Sequence, residues 1–176
     1  EAPKRLVVMG SGSRVARGRG RRELAAMESY EIAAAGPSDW PAIASLLRDS
    51  GLPLDGLDKH LGATIVARDD GAIVGCAALE LYGSDALLRS VAVAPTHRGE
   101  GMGEALTAAA IALARKHGIH AIHLLTETAE GFFPRFGFTI TTRDAVPAAV
   151  RTSVEFTTAC PASATTMTLS LRSAGS

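Results

Sequence analysis

Hydrophobic and polar positions follow two different periods along most of the chain. Short apolar or β-branched runs bounded by turn residues predict strands over residues 30–34, 63–68, 72–82, 86–94, 119–126, 138–142 and 164–171. Apolar residues at helical spacing predict helices over residues 37–49, 55–61, 101–117, 129–135 and 147–157. The order β-α-α-β-β-β-α-β-α-β-α-β contains no internal repeat and predicts an α/β fold built on one mixed sheet.

Turn residues mark the boundaries between these elements. Asp69-Asp70-Gly71 predicts a hairpin turn between two strands. Pro95 ends the strand that precedes it, and Gly118 ends the helix over 101–117. The strands on either side of residues 69–71 and 83–85 are therefore expected to form an antiparallel meander.

Composition and charge limit the classes of protein to consider. The chain has 176 residues, of which 47% are hydrophobic and 20% charged, with a formal net charge of +0. This length and composition predict one globular domain, placed at residues 30–172. A zero net charge indicates no nucleic-acid or anionic-membrane partner for the protein as a whole.

The two ends of the chain differ from this domain. Residues 1–29 are rich in Gly, Ser and Arg and lack apolar periodicity, which predicts a flexible basic extension. A basic RNA-binding arm is the alternative for this segment. Residues 173–176 are expected to form a short tail.

Cysteine usage and the apolar runs indicate a cytoplasmic protein. Cys76 and Cys160 are too few for a disulfide framework or a metal site, so no metal is expected. The longest apolar run, residues 105–114, is too short to span a bilayer, and no secretory signal is present.

The candidate chemistry lies where an apolar strand runs into a glycine-rich turn and a helix. The turn reads Arg98-Gly99-Glu100-Gly101-Met102-Gly103. Glycines let backbone N–H groups approach a ligand closely, and a helix N-terminus attracts negative charge, so this turn predicts a pyrophosphate site. Two alternatives are a dinucleotide-binding turn, which the preceding antiparallel meander disfavours, and a merely tight strand–helix connection.

Two motifs resemble those of the GNAT acetyltransferases. Residues 91–103 read VAVAPTHRGEGMG and resemble that family's acetyl-CoA-binding motif, and residues 129–138, AEGFFPRFGF, resemble its second motif. The resemblance covers residues 30 to about 171. It implies the GNAT acyl-CoA N-acyltransferase fold: a central, mostly antiparallel sheet splayed at the acetyl-CoA site and flanked by helices.

The resemblance also implies a set of acetyl-CoA-binding residues. They are Val91, Ala92 and Val93 along the pantetheine arm, Arg98, Gly99, Glu100, Gly101, Met102 and Gly103 around the pyrophosphate, and Phe133 near the thioester. An amine would attack the thioester directly, without a covalent enzyme intermediate. The family often has tyrosine at the position of Phe133 and asparagine at that of Thr126, so no general acid is assigned.

A base must take the proton of the acceptor ammonium, and the catalytic candidates are Glu80 and Glu127. Glu80 is expected near a strand end, where the alternative is a solvated carboxylate. His97 is expected at the surface of the turn. His120 and His123 are expected to be structural.

The acceptor is suggested by a more detailed likeness. Within the family the chain is most similar to the arsenic-resistance N-acetyltransferases and, more distantly, to the acetyltransferase domain of N-acetylglutamate synthases. The segments that carry this are residues 75–83, 87–93, 143–147 and 155–164. Both groups imply an amino-acid-like acceptor, such as an arsenic- or phosphorus-containing glutamate analogue, and a role in resistance or detoxification.

Three residues are predicted to bind this acceptor: Arg89, Arg151 and Ser163. For Arg89 a structural ion pair is the alternative. Two other functions remain open, a protein N-terminal or lysine acetyltransferase and a non-catalytic acetyl-CoA-binding sensor. The protein is expected to act as a monomer or homodimer.

Overall fold

The strands form one seven-stranded sheet with helices on both faces, so its central strands are buried over long consecutive runs. The structure is a computed structural model that describes residues 30–172. The predicted basic extension, residues 1–29, and the predicted tail, residues 173–176, lie outside the described residues. The predicted mixed sheet is confirmed.

The element boundaries lie close to most of the predicted ones. The strands are β1 (Glu31–Ala34), β2 (Thr64–Asp69), β3 (Ala72–Tyr82), β4 (Asp85–Val93), β5 (Ala121–Thr126), β6 (Thr139–Thr141) and β7 (Thr165–Ser170). The α-helices are α1 (Trp40–Asp49), α2 (Met102–Lys116) and α3 (Ala148–Arg151). Short 3-10 helices span Pro37–Asp39, Leu57–Ala63, Pro95–His97, Phe133–Phe136 and Arg143–Ala145, and a π-helical turn spans Glu155–Ala159.

The strands lie in the order β1-β2-β3-β4-β5-β7-β6. Neighbouring strands are antiparallel except for β4 and β5, which are parallel. The last strand, β7, lies between β5 and β6 and joins β6 to the rest of the sheet.

Successive side chains of β3 point to opposite faces and fill two separate cores. Ala77 and Leu79 belong to the core that contains α2. Cys76 and Ala78 belong to the core that contains α1. Because both faces of β3 are covered, seven consecutive residues of this strand are buried.

Two predicted helices were wrong in length and type. Over residues 129–135 the chain forms only the 3-10 turn Phe133–Phe136, since Gly131 and Pro134 both disfavour a longer helix. Over residues 147–157 the helix ends at Arg151. The Ser153 hydroxyl accepts a hydrogen bond from the Glu155 N–H at 3.2 Å, and such local bonds compete with the helical pattern.

The strands β4 and β5 diverge after a short paired stretch. Among the described residues their ladder joins only Asp85–Leu87 to Ala121–His123. Between the pairs Cys76–Ala92 and Ala78–Arg89, β4 contains one more residue than β3. This bulge includes Ser90, which has a φ of 58°. Because a bulge bends its strand, it bends the part of β4 that follows the ladder to β5, where a gap opens in the sheet.

Gly75 allows α2 to pack directly on β3, and we expect Gly75→Ala to destabilise the fold. A Cβ at this position would lie 2.7 Å from Leu106 Cδ1 and 3.1 Å from Met102 Sδ. Overpacking of this kind costs about 1–3 kcal/mol of unfolding free energy, measurable by urea denaturation. Gly62→Ala is the control, since a Cβ at residue 62 would have nothing within 4 Å. Equal stability of the two variants would contradict this packing.

Candidate functional site

Two adjoining clefts lie where β4 and β5 separate. The larger has a volume of about 350 Å³ and is lined by the diverging strand ends, the loop 50–53 and residues of the segment 155–160. The smaller has a volume of about 280 Å³ and lies against the glycine-rich turn at the start of α2. Val91 lines the first and Val93 the second, so one strand end borders both clefts.

The turn before α2 needs glycine for its backbone conformation. Gly99 has a φ of 80° and Gly101 a φ of 82°, in the left-handed region that other residues avoid. Gly101 is the N-cap of α2, a helix of 15 residues, and Gly103 lies in its first turn. The exposed Arg98 is held there by a hydrogen bond of 3.0 Å from its Nε to the main-chain oxygen of Val93. Free N–H groups, a helix N-terminus and a guanidinium together form a site suited to a pyrophosphate.

Most of the residues predicted to bind acetyl-CoA border the clefts. Arg98, Gly99, Gly101, Met102 and Gly103 line the smaller one. Phe133 is buried and lines the larger one. Two residues differ: Ala92 is buried in the α1 core, and Glu100 is exposed beside the turn without lining either cleft.

Phe132 is a cleft residue that sequence reasoning missed. Its ring lines the smaller cleft, 3.7 Å from the position of a Cβ on Gly103. The guanidinium of Arg135 lies 4.6 Å from the ring centroid, in a cation–π contact, and pairs with Glu104. The signal was present in the second motif, where Phe132 precedes Phe133, but the pattern alone did not distinguish the two rings.

Arg89 is buried at the wall of the larger cleft, with a side-chain exposure of 2%. A guanidinium has five N–H donors, and Arg89 makes four hydrogen bonds and one further ion-pair contact with described residues. The acceptors are Glu80 Oε1 at 2.8 Å, Glu155 Oε1 at 3.0 Å, the main-chain oxygens of Asp55 at 2.8 Å and Pro53 at 3.2 Å, and Ser90 Oγ at 3.2 Å. Arg89 thus joins β3, β4, the loop after α1 and the π-helical turn.

Glu80 is one of the two carboxylates on Arg89 and is almost fully buried. Burial raises the pKa of Glu80, but hydrogen bonds from Tyr82, Ser153 and Arg89 outweigh it and hold the pKa below its ordinary value. The side chain does not line either cleft. Its predicted role as a base stays a prediction. Glu127, the other candidate base, is exposed and lines the larger cleft.

Glu155 is the second carboxylate on Arg89 and was not identified from the sequence. The Oε1 atom of Glu155 contacts the guanidinium of Arg89, and its Oε2 atom accepts a hydrogen bond from Cys160 Sγ at 2.7 Å. Both residues line the larger cleft. Burial and, next, the bond to Glu155 raise the pKa of the Cys160 thiol to about 12. No local pattern reveals a pair whose members lie on β4 and on the π-helical turn.

Arg151 and Ser163, predicted to bind the acceptor, lie outside both clefts. Arg151 is exposed on α3, where its Nε donates to the main-chain oxygen of Val146 at 3.1 Å. Ser163 is exposed in the turn before β7. Of the three predicted acceptor residues, the structure therefore brings only Arg89 to the cleft.

Two of the histidines considered from the sequence are paired with carboxylates, whereas His120 is exposed and lies beside Arg172. His97 Nε2 lies 2.7 Å from Asp69 Oδ2, beside the glycine-rich turn. His123 is buried between Asp85 at 2.9 Å and Thr168 at 2.8 Å. Within residues 30–172, no three His, Cys, Asp or Glu side chains group in a way that would hold a metal ion. No helix in the same range has both the length and the apolar character needed to cross a membrane.

A comparison with protein families identifies part of the chain. Residues 60–140 match the family model described as the acetyltransferase (GNAT) domain. This region contains β2 to β5, α2 and the whole glycine-rich turn. Together with the seven-stranded sheet and its flanking helices, the match confirms the predicted GNAT fold.

Individual proteins show the same likeness. The amino-acid acetyltransferase of Ralstonia nicotianae is 34% identical over 93 residues, which are 52% of this chain and 21% of that protein. N-acetylglutamate synthase from Neisseria gonorrhoeae, solved with coenzyme A and N-acetyl-glutamate, is 26% identical with a TM-score of 0.71, over 82% of this chain and 35% of that one. A Mycobacterium tuberculosis protein solved with CoA is 28% identical with a TM-score of 0.68, over 80% and 99%. The chain thus spans about a fifth of the curated relative and about a third of the synthase.

The lowered pKa of Glu80 predicts a pH-dependent contribution to stability. A carboxyl whose pKa is lowered by folding stabilises the fold at pH values above its ordinary pKa of 4.5. This stabilisation is lost as the pH falls through the lowered pKa. We expect wild type to exceed Glu80→Gln in unfolding free energy at about pH 7, and the difference to shrink towards about pH 3. Urea denaturation across this range measures it, with Glu130→Gln at an exposed position as control. A difference independent of pH would contradict the ion pairing of Glu80.

Proposed function

We propose that this chain transfers the acetyl group of acetyl-CoA to the amino group of a small acceptor molecule. The observation that carries the proposal is the gap between the parallel strands β4 and β5, which opens next to the glycine-rich start of α2. The match of residues 60–140 to the acetyltransferase (GNAT) domain supports the same activity. So do the two similar structures that contain CoA.

The residues present suit acetyl-CoA. The N–H groups of the turn at Gly99, Gly101 and Gly103, with Arg98, would hold the pyrophosphate. The main chain of Val91 and Val93, which borders both clefts, would hold the pantetheine arm. The thioester supplies an acetyl group that an amine can attack directly.

The chain's own residues would position the acceptor and manage its proton. As the nitrogen bonds to the acetyl carbon, the carbon–sulfur bond breaks and the acceptor ammonium must lose its proton. Glu127, exposed at the cleft, could accept this proton through a water. Glu80 is the alternative base, but its side chain is buried against Arg89.

The departing thiolate is not protonated by Phe133, which has no hydroxyl. Cys160 lines the same cleft, but its pKa is raised to about 12. A free thiol has a pKa of about 8.5, so transfer of the Cys160 proton to a leaving thiolate would be unfavourable. In this proposal the thiolate therefore leaves unprotonated and is protonated in solution after release.

We infer that the acceptor is amino-acid-like. The names of the similar proteins, an amino-acid acetyltransferase and an N-acetylglutamate synthase, support this class. A cation at the cleft wall, Arg89, gives a carboxylate a partner of opposite charge. The arsenic- or phosphorus-containing glutamate analogue and detoxification rest on the sequence likeness in residues 75–83, 87–93, 143–147 and 155–164. A cytoplasmic location rests on the cysteine usage and the apolar runs of the sequence.

One observation favours a second function, a non-catalytic acetyl-CoA sensor. It is Phe133, which leaves the cleft without the hydroxyl that commonly protonates the leaving group in the family.

The experiment for both functions is release of the CoA thiol from acetyl-CoA across a panel of amino acids and their phosphorus- and arsenic-containing analogues. Thiol release with an α-amino acid supports the enzyme. Acetyl-CoA binding with no release on any amine would overturn it and support the sensor.

Gly101→Ala is expected to weaken acetyl-CoA binding about tenfold or more, which is about 1.4 kcal/mol. A side chain at a φ of 82° strains the turn whose N–H groups would contact the pyrophosphate. Gly118→Ala is the matched control, because it imposes a φ of 72° at the other end of α2, in open space. Calorimetric titration with acetyl-CoA measures both. Similar affinity losses in the two variants would show that the effect is one of helix stability rather than of the site.

A further inference from the structure

The partners of Arg89 differ in whether they can be reached from the larger cleft. Glu155 and Pro53 line that cleft together with Arg89, whereas Glu80 does not. Glu80 is fixed in the β3–β4 ladder opposite Leu87 and also accepts a hydrogen bond from Tyr82. Glu155 is therefore the charged partner of Arg89 on the cleft side.

Two carboxylates on one buried guanidinium leave an excess of negative charge. Glu80 contacts Arg89 at 2.8 Å and lies 3.8 Å from His60 Nε2, and Glu155 adds a second carboxylate to Arg89 at 3.0 Å. Burying an uncompensated charge is costly. One carboxylate is enough to balance the charge of Arg89, so the second one adds a buried negative charge. Of the two carboxylates, Glu155 is the one that lies where an acceptor would enter.

An acceptor carboxylate would meet Arg89 in the place that Glu155 occupies. Arg89 already has four hydrogen-bond acceptors and the carboxylate of Glu155 around it, so a new carboxylate arriving from the cleft would compete with Glu155. If the acceptor carboxylate replaces Glu155, the contact at Arg89 Nη2 is kept and the number of carboxylates on Arg89 does not change. If Glu155 stayed, a third carboxylate would be brought into the same site.

The segment that carries Glu155 is suited to such an exchange. Glu155 begins a π-helical turn of five residues, Glu155–Ala159, and not a regular α-helix. Its other oxygen binds Cys160, which follows directly after that turn and also lines the cleft. A movement of this turn can therefore take Glu155 away from both Arg89 and Cys160, whereas Glu80 would have to leave a strand.

We propose that Glu155 competes with the acceptor's carboxylate for Arg89 and thereby sets the affinity for carboxylate-bearing acceptors. The proposal rests on the acetyl transfer proposed above and names Glu155 as a residue that determines specificity. A competing charge on the protein is a recognised way to tune selectivity between related ligands.

The test compares wild type with Glu155→Gln on two acceptors, L-glutamine and its α-amide, which differ only in one carboxylate. Removing the charge of Glu155 is expected to raise kcat/KM for L-glutamine about tenfold through a lower KM, because its competitor is gone. For the α-amide the change should stay within about twofold. Glu130→Gln, at an exposed position outside the clefts, should alter neither acceptor.

Three results would overturn the proposal: no gain for L-glutamine, an equal gain for both acceptors, or a loss with L-glutamine. The α-amide distinguishes failure of the proposed competition from failure of the proposed acetyl transfer. Turnover of the α-amide without the expected change rejects the competition alone, whereas no thiol release from either acceptor in either protein counts against acetyl transfer to this class.

A second measurement on the wild-type protein covers the case in which Glu155→Gln does not fold or no turnover is seen. Burial and, next, Glu155 raise the pKa of Cys160, with Glu127 acting in the same direction and Arg89 against it, so displacement of Glu155 should lower the pH midpoint of Cys160 alkylation. Cys76 is fully buried, so the reaction reports Cys160. L-glutamine, with acetyl-CoA present, is expected to lower this midpoint, and the α-amide is not. An unchanged midpoint with L-glutamine would contradict displacement of Glu155.

Discussion

The fold around the larger cleft depends on the charge of a single buried side chain, Arg89. Its guanidinium is held by two carboxylates and three neutral oxygens from segments far apart in the sequence. Removing a buried cation from such a group leaves uncompensated negative charge, which is far more costly than loss of a surface pair. Arg89 therefore fixes the loop after α1 and the π-helical turn against β3 and β4.

The same place in the sheet explains why a cleft exists. The pairing of β4 with β5 ends at Leu87, and the bulge at Ser90 then adds a residue to the unpaired part of β4, directly after Arg89. The freed main chain of residues 91–93 leads into the glycine-rich turn and the N-terminus of α2. One strand thus connects the buried charge of Arg89, proposed to face the acceptor, with the glycine-rich turn, proposed to hold the pyrophosphate of acetyl-CoA. The proposed transfer reaction would take place between them.

Features coded by neighbouring residues could be predicted from the sequence. The strand periods, the hairpin turn at Asp70-Gly71 and the glycine-rich start of α2 all depend on local backbone preferences, and the structure contains each of them. The two shortened helices were mispredicted because Pro134 and Ser153 offer local alternatives to a helix. Glu155 on Arg89 could not be foreseen, since the pair depends on how the end of the chain folds over the sheet. Arg151 and Ser163 matched a pattern, but their positions outside the clefts depend on the same packing.

A comparison of three variants tests most directly whether the buried charge of Arg89 organises the cleft. Arg89→Met alone should lose about 3–5 kcal/mol of unfolding free energy, because Glu80 and Glu155 stay buried without their cation. Adding Glu80→Gln and Glu155→Gln to it should restore most of that loss, since the buried negative charge is then removed as well. Arg151→Met, at an exposed site, should change stability little. If Arg89→Met costs no more than Arg151→Met, or if the two added substitutions restore nothing, the central role of this buried charge is contradicted.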